Sequence, residues 1–258
     1  TLLVDEKNEI GGATIYQNSE FNKIENQNSS DWLKKEIQEL KNVKNLEVKT
    51  RTSVAAYHGY NYLLARENLT DHLEKKDKQG KVRQRLLKIR AKKVILATGA
   101  LERPLIFNNN DRPGIMLSSA VNKYADFYGV VSGKKNVFFT NNDSAYESAI
   151  SLNKKGIKVE AIIDIREESN SKIVEEAIDL GIKIYWSHTV VDTDGYKRLK
   201  EISIMELSKD NQSVVGTKKN ISCDCLGIAG GWTPAVHLFT QSGGKLKFNE
   251  EDQVFLPN

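Results

Sequence analysis

Two apolar runs in this chain end in residues that could do chemistry. Leu2-Leu3-Val4 stops at Asp5-Glu6 and is followed by Gly11-Gly12, while Val94-Ile95-Leu96 breaks into Ala97-Thr98-Gly99 and leaves through Arg103-Pro104. A carboxylate at a strand end can accept hydrogen bonds from ribose hydroxyls, and glycines beyond it let backbone approach a nucleotide closely. Asp5 directly follows its apolar run and is the first candidate for that contact. Glu6 is the alternative, because the spacing to Gly11 and Gly12 varies in such domains; an exposed strand-end acid is the competing reading. By position alone, the backbone of Ser53 or Val54 is the candidate adenine contact. Arg103 and Arg112 each precede a proline in loops leaving the sheet, where a guanidinium forks well onto phosphate oxygens. A salt bridge to Glu102, Asp111 or Asp143 is the competing use for them.

The elements that must position these residues can be read from periodicity. After Gly12 a polar stretch through Ser30 reads as a loop. Asp31–Leu40 then repeats apolar residues three and four apart behind a Ser/Asp cap, as an amphipathic helix would. Leu46–Tyr57, Asn61–Leu69 and Arg85–Leu96 read as three strands, the last delivering the Ala97-Thr98-Gly99 turn. Leu105–Gly114 is turn chemistry and marks a boundary.

A second unit repeats the order of the first. Ser118–Tyr128 reads as a helix capped by Ser and stopped by Gly129. Asn136–Thr140 is a buried strand, Asp143–Lys155 a helix, Ile157–Asp164 an acid-ended strand, Glu167–Leu180 a helix and Lys183–Tyr185 a strand. That alternation means a parallel sheet. Thr189–Asp194, Leu199–Leu207 and Asn220–Leu226 form a second meander, and Gly227-Ile228-Ala229-Gly230-Gly231 stands in the place of Ala-Thr-Gly. Where a G-x-G-x-x-G loop belongs, the chain has Thr140-Asn141-Asn142-Asp143-Ser144-Ala145. Without glycines, and with Asp143 adding negative charge, this unit is expected to keep the fold without ordinary dinucleotide binding, its asparagines capping the helix or holding a different group. Asp164 occupies the ribose position there and is expected to be vestigial.

The expected fold class is therefore α/β: two Rossmann-like domains, each with a parallel sheet and a β-meander. Residues 1–115 would form a partial first dinucleotide-binding domain lacking its first strand and glycine loop. Residues 116–232 would form the second, with a degenerate loop, and 233–258 a segment returning to the first.

Composition narrows the function classes. A chain of 258 residues with 39% apolar residues can fill a real core, and no stretch has the length of a bilayer span. With no signal-peptide pattern, the cytoplasm is expected. The net charge of +4 is spread over a Lys-rich surface, and the one dense basic run, Lys81–Lys93, alternates with apolar residues and lacks stacking aromatics, which argues against nucleic acid. Cys223 and Cys225 form a C-x-C expected to point both side chains to one face as buried free thiols, rather than a redox or zinc pair. The histidines at 58, 72, 188 and 237 have no metal-ligand spacing, and no catalytic triad or acid/base pair emerges.

Several blocks resemble a known family. Val94–Pro104 followed by Asn109-Asn110-Asp111-Arg112-Pro113-Gly114-Ile115-Met116-Leu117, then Thr140–Tyr146, then Gly230-Gly231-Trp232-Thr233-Pro234-Ala235-Val236-His237-Leu238-Phe239, closely resemble the α subunit of heterotetrameric sarcosine oxidases. The resemblance implies a complex of α, β, γ and δ subunits that demethylates sarcosine to glycine and hydrogen peroxide and passes one carbon to tetrahydrofolate. It implies NAD in this core, FMN between α and β, and FAD in the β subunit. It also implies that this chain is a piece of a longer protein whose folate domain lies elsewhere; with no phosphate loop to support a pyrophosphate, the piece alone is expected to bind nucleotide weakly or not at all. Thr98 and Gly99 would lie near the cofactor, a tight turn at a sheet edge being their plainer use. The rivals are an α subunit of the L-proline dehydrogenase type holding another adenine nucleotide, and an autonomous FAD-dependent pyridine-nucleotide reductase. The last should carry two glycine loops and often a C-x-x-C, and this sequence has neither.

Overall fold

The computed structural model describes residues 1–16 and 23–258; residues 17–22, within the loop expected after Gly12, lie outside the described residues. The described residues divide into two compact units, one built from residues 1–16, 23–101 and 233–258 and the other from 102–232. Segment 102–117 thus belongs to the second unit, because Ile115–Leu117 forms an edge of that unit's sheet.

In the first unit, Leu2–Val4 pairs in parallel with Glu47–Lys49. The helix between them, Ser29–Leu40, starts two residues earlier than expected because Asn28 is its cap, with Oδ1 accepting from Ser30 N at 2.9 Å. The expected long strand over 46–57 is two strands. Arg51 sits at φ 51°, in the left-handed region, and that turn separates Glu47–Lys49 from Thr52–His58. Thr52–His58, Tyr62–Asn68 and Gln84–Arg90 make the expected antiparallel meander. The third of these stops at Arg90. Val94–Ala97 has no ladder partner among the described residues, and Ile95 is 92% exposed. The return segment supplies the short helix His237–Gln241 and a hairpin of Leu246–Asn249 with Val254–Pro257; Gln241 Oε1 accepts from Tyr57 N at 2.8 Å.

The second unit carries a five-stranded parallel sheet in the order Ile184–Tyr185, Val159–Asp164, Asn136–Thr140, Cys225–Ala229, Ile115–Leu117. Its central strand is buried at every position. Alternate side chains face two separate cores. Phe138 and Ile162 pack with Val121, Ala145, Ala149 and Val174 from three helices, whereas Val137, Phe139, Ala161 and Ile163 pack with Val190, Ile202 and Ile204 from the meander His188–Asp194, Glu201–Leu207 and Val214–Ser222. Gly227 lies opposite Phe138 in the ladder, and a Cβ there would come within 2.6 Å of the phenyl ring.

Two local readings need correction. The expected strand 220–226 is cut at Asp224, whose carboxylate accepts from Lys135 N at 2.8 Å. Ser222 ends the meander and Cys225 begins a sheet strand, so the two cysteines enter opposite cores instead of sharing a face. Burial pushes both thiols up to about 12. The helix Ser118–Asp126 is not capped by its own serine: Glu102 accepts from Ser119 N at 2.9 Å and from Ser119 Oγ at 2.5 Å.

Candidate functional site

The first unit brings Asp5 and Ser53 together. Asp5 ends the first strand half-buried; its N donates to Lys49 O at 2.9 Å and its carbonyl accepts from Thr52 N at 2.8 Å. The left-handed turn at Arg51 makes this possible, with Arg51 N donating to Lys7 O at 2.6 Å. Ser53 is therefore the next residue along from the Asp5 contact, and Val54 follows at a bulge that shifts the ladder between Val54 and Ala56. Among the described residues, the Asp5 carboxylate accepts from Lys7 N at Oδ1, at 2.8 Å. A carboxylate has room for several donors, hydroxyls included. Glu6 is exposed.

The glycines split in role. Gly11 has φ 130°, and a Cβ on it would lie 2.7 Å from Leu33, so its glycine is needed for packing on the Ser29–Leu40 helix. Gly12 has φ 59° and open space where a Cβ would be. Thr98 and Gly99 are bound to the return segment: Thr98 Oγ1 donates to Ala235 O at 2.6 Å, and Gly99 O accepts from Ala235 N at 2.9 Å.

Arg103 and Arg112 lie in the second unit, and both are tied to backbone. Arg103 N donates to Gly231 O at 2.8 Å and Arg103 O accepts from Gly230 N at 2.7 Å, while its guanidinium passes so close that a Cβ on Gly231 would be 2.7 Å from Nη2. Arg112 donates from Nε to Thr193 Oγ1 at 3.1 Å and from Nη2 to Thr193 O at 3.3 Å. Asn108 and Asn109 both donate to Asp192 Oδ1 at 3.0 Å, and these bonds, Asn109 first, hold the Asp192 carboxyl below its ordinary range. The 108–112 loop is thereby fastened to the meander.

Sequence reasoning missed a charge network built around a buried acid in this unit. Asp164 is fully buried, and Arg166 donates to it from Nε at 3.0 Å and Nη2 at 2.7 Å; Nη1 reaches Asp143 at 2.8 Å, and the Tyr146 hydroxyl donates to Asp164 at 2.8 Å. Burial opposes the Arg166 charge, but its bonds to Asp164 and Asp143 outweigh that and raise its pKa. Burial, then the Asp164 charge, pushes Tyr146 up. The available signal was an arginine two residues after an acid-ended strand. Beside the network, a cleft of about 350 Å³ is lined by Leu105, Ile106, Phe139, Ile165, Arg166 and Thr189 among others. It offers no uncommitted guanidinium nitrogen, because all three of Arg166 are engaged.

Among the described residues, the first unit combines a half-buried acid at a strand end, Asp5, with open space at Gly12. Comparison with known proteins agrees with the fold. Residues 17–256 match the pyridine nucleotide-disulphide oxidoreductase family model. Over 100% of its length the chain is 37% identical to sarcosine oxidase subunit alpha of Corynebacterium sp. (strain P-1), covering 26% of that protein, and over 99% it is 32% identical to that of Rhizobium meliloti (strain 1021), covering 24%. The chain thus spans about a quarter of the length of these relatives. Among solved structures, L-proline dehydrogenase from P. horikoshii superposes with TM-score 0.65 at 21% identity, over 100% of this chain and 42% of that one. T. acidophilum thioredoxin reductase gives 0.66 at 18% identity, over 98% and 79%. The chain belongs to the pyridine nucleotide-disulphide oxidoreductase family.

Proposed function

We propose that this chain is the nucleotide-binding core of an oxidoreductase α subunit of the sarcosine oxidase type, and that its first unit holds the adenosine half of NAD. The observation that supports this reading is the backbone bond from Thr52 N to Asp5 O, which joins the residue carrying the candidate ribose acid to the strand that continues into Ser53. Whole-length similarity to two sarcosine oxidase α subunits supports the rest. Asp5, with Glu6 as alternative, accepts ribose hydroxyls; Gly12 lets backbone approach; Ser53 or Val54 meets adenine; Thr98 and Gly99 form a wall of the site. When bound, NAD supplies two-electron hydride chemistry, and this chain contributes binding and orientation.

In the complete assembly, β, γ and δ subunits would accompany this one, FAD would oxidise sarcosine in β, and FMN would lie between β and α. The one-carbon product would pass to tetrahydrofolate on a domain outside this chain. Arg103 and Arg112 serve the second unit's loops in this reading, and phosphate contact is a secondary use for them.

Competitive titration of the full-length α subunit with NAD and ATP tests the assignment. NAD should bind at least about tenfold more tightly, about 1.4 kcal/mol. A preference for ATP would move the protein to the L-proline dehydrogenase type, whose relative shares this fold.

A further inference from the structure

The second unit's acid-ended strand is already occupied. In nucleotide-binding sheets of this plan, the acid after the second strand takes ribose hydroxyls, and the N-terminus of the helix after the first strand takes the pyrophosphate. Here Asp164 holds the first position and Asp143, the residue before the Ser144–Lys154 helix, holds the second. Arg166 spans them: Nε and Nη2 fork onto Asp164 at 3.0 and 2.7 Å, and Nη1 binds Asp143 Oδ1 at 2.8 Å. Asp164 also accepts from Arg166 N at 3.0 Å and from the Tyr146 hydroxyl at 2.8 Å.

The first N–H of that helix is engaged as well. Asn142 Oδ1 accepts from Ser144 N at 2.9 Å, and Asn142 Nδ2 donates to Ala229 O at 3.2 Å, so the amide of Asn142 stands in the turn that glycines would leave open. Two carboxylates against one guanidinium leave the cluster with excess negative charge, which repels a pyrophosphate.

We propose that Arg166 is a built-in ligand of the second unit: its guanidinium, clamped between Asp164 and Asp143, fills the ribose and phosphate end of the site and closes it to pyridine dinucleotides. A fixed intramolecular ion pair replaces an exchangeable cofactor. This rests on the second unit's own contacts and is independent of what the Asp5 site binds.

Arg166→Ala in the full-length subunit leaves two carboxylates facing an emptied slot, one of them fully buried. The domain's thermal transition should fall by about 5–10 °C. Low-millimolar guanidinium chloride should restore much of that loss, and equal sodium chloride should not. Arg166→Lys, which keeps the charge without the fork, should lose less and leave dinucleotide affinity unchanged. An unchanged transition in Arg166→Ala, equal effects of guanidinium and sodium, or a drop of about tenfold or more in NADH or NADPH affinity on Arg166→Lys would overturn the proposal. If the parent binds no dinucleotide, the NAD assignment fails while guanidinium rescue still reads the clamp.

Discussion

Thr52 donates its backbone N–H to the carbonyl of Asp5 at 2.8 Å. That bond joins the end of the first strand to the start of the meander, although 46 residues of chain separate them in sequence order and a helix lies between. It depends on Arg51 adopting φ 51°, a conformation that costs a non-glycine residue on the order of 1 kcal/mol. Arg51→Pro, which forbids that φ and removes the donor to Lys7, should therefore detach the acid from the meander and weaken NAD binding by more than about tenfold, with the second unit's transition unchanged. Titration and calorimetry of the full-length protein check both halves.

Glu102 gives a pH signature. Burial raises its carboxyl pKa, against the opposing hydrogen bonds from Ser119. A folded state that holds the proton more tightly than the unfolded chain is stabilised below the ordinary glutamate pKa and loses that advantage as pH rises through the raised value. Glu102→Gln retains an oxygen to accept from Ser119. It should be more stable than the parent at neutral pH, with the difference shrinking toward about pH 4. Thermal melts across that range test the sign.

Cys223 and Cys225 should be inert in the native protein. Each is about 1% exposed, each is pushed up to about 12, and they face different cores. Mapping of thiol-reagent adducts by mass spectrometry should find neither labelled at pH 8 until denaturant is added; a native Cys223–Cys225 disulfide would contradict the structure.

Arg112 should matter for rigidity and little for nucleotide affinity. Removing its bonds to Thr193 in Arg112→Ala should speed hydrogen exchange at 108–113 and leave NAD affinity within about twofold. A loss of about tenfold would instead make it a phosphate ligand.

Gly227→Ala should destabilise the second unit by about 1–3 kcal/mol, because the new methyl meets the Phe138 ring at 2.6 Å. Phe138→Leu in the same chain should recover part of that in urea unfolding.

The parallel sheet was legible because Asn136–Thr140 and Val159–Asp164 are short apolar runs set between helices with a 3.6-residue period. The loop without glycines was also legible, since residue type alone decides whether backbone can approach a phosphate. The left-handed turn at Arg51 was not, because a single arginine carries no turn signal. Neither was the Arg166 clamp, since it joins Asp143 and Asp164 through folding rather than spacing. The Cys225 strand was hidden for a related reason: an alternating run continues across Asp224, and only the hydrogen bond to Lys135 shows where the sheet changes.

The proposed NAD site depends first on Asp5 accepting the ribose hydroxyls. Equilibrium binding of NAD to the full-length subunit carrying Asp5→Asn tests this, because asparagine keeps an oxygen for Lys7 N while losing the charge and exchanging the second acceptor oxygen for an NH2 donor. Affinity should be about tenfold weaker, with Glu6→Gln close to the parent. Unchanged affinity in Asp5→Asn, or a loss confined to Glu6→Gln, would contradict it.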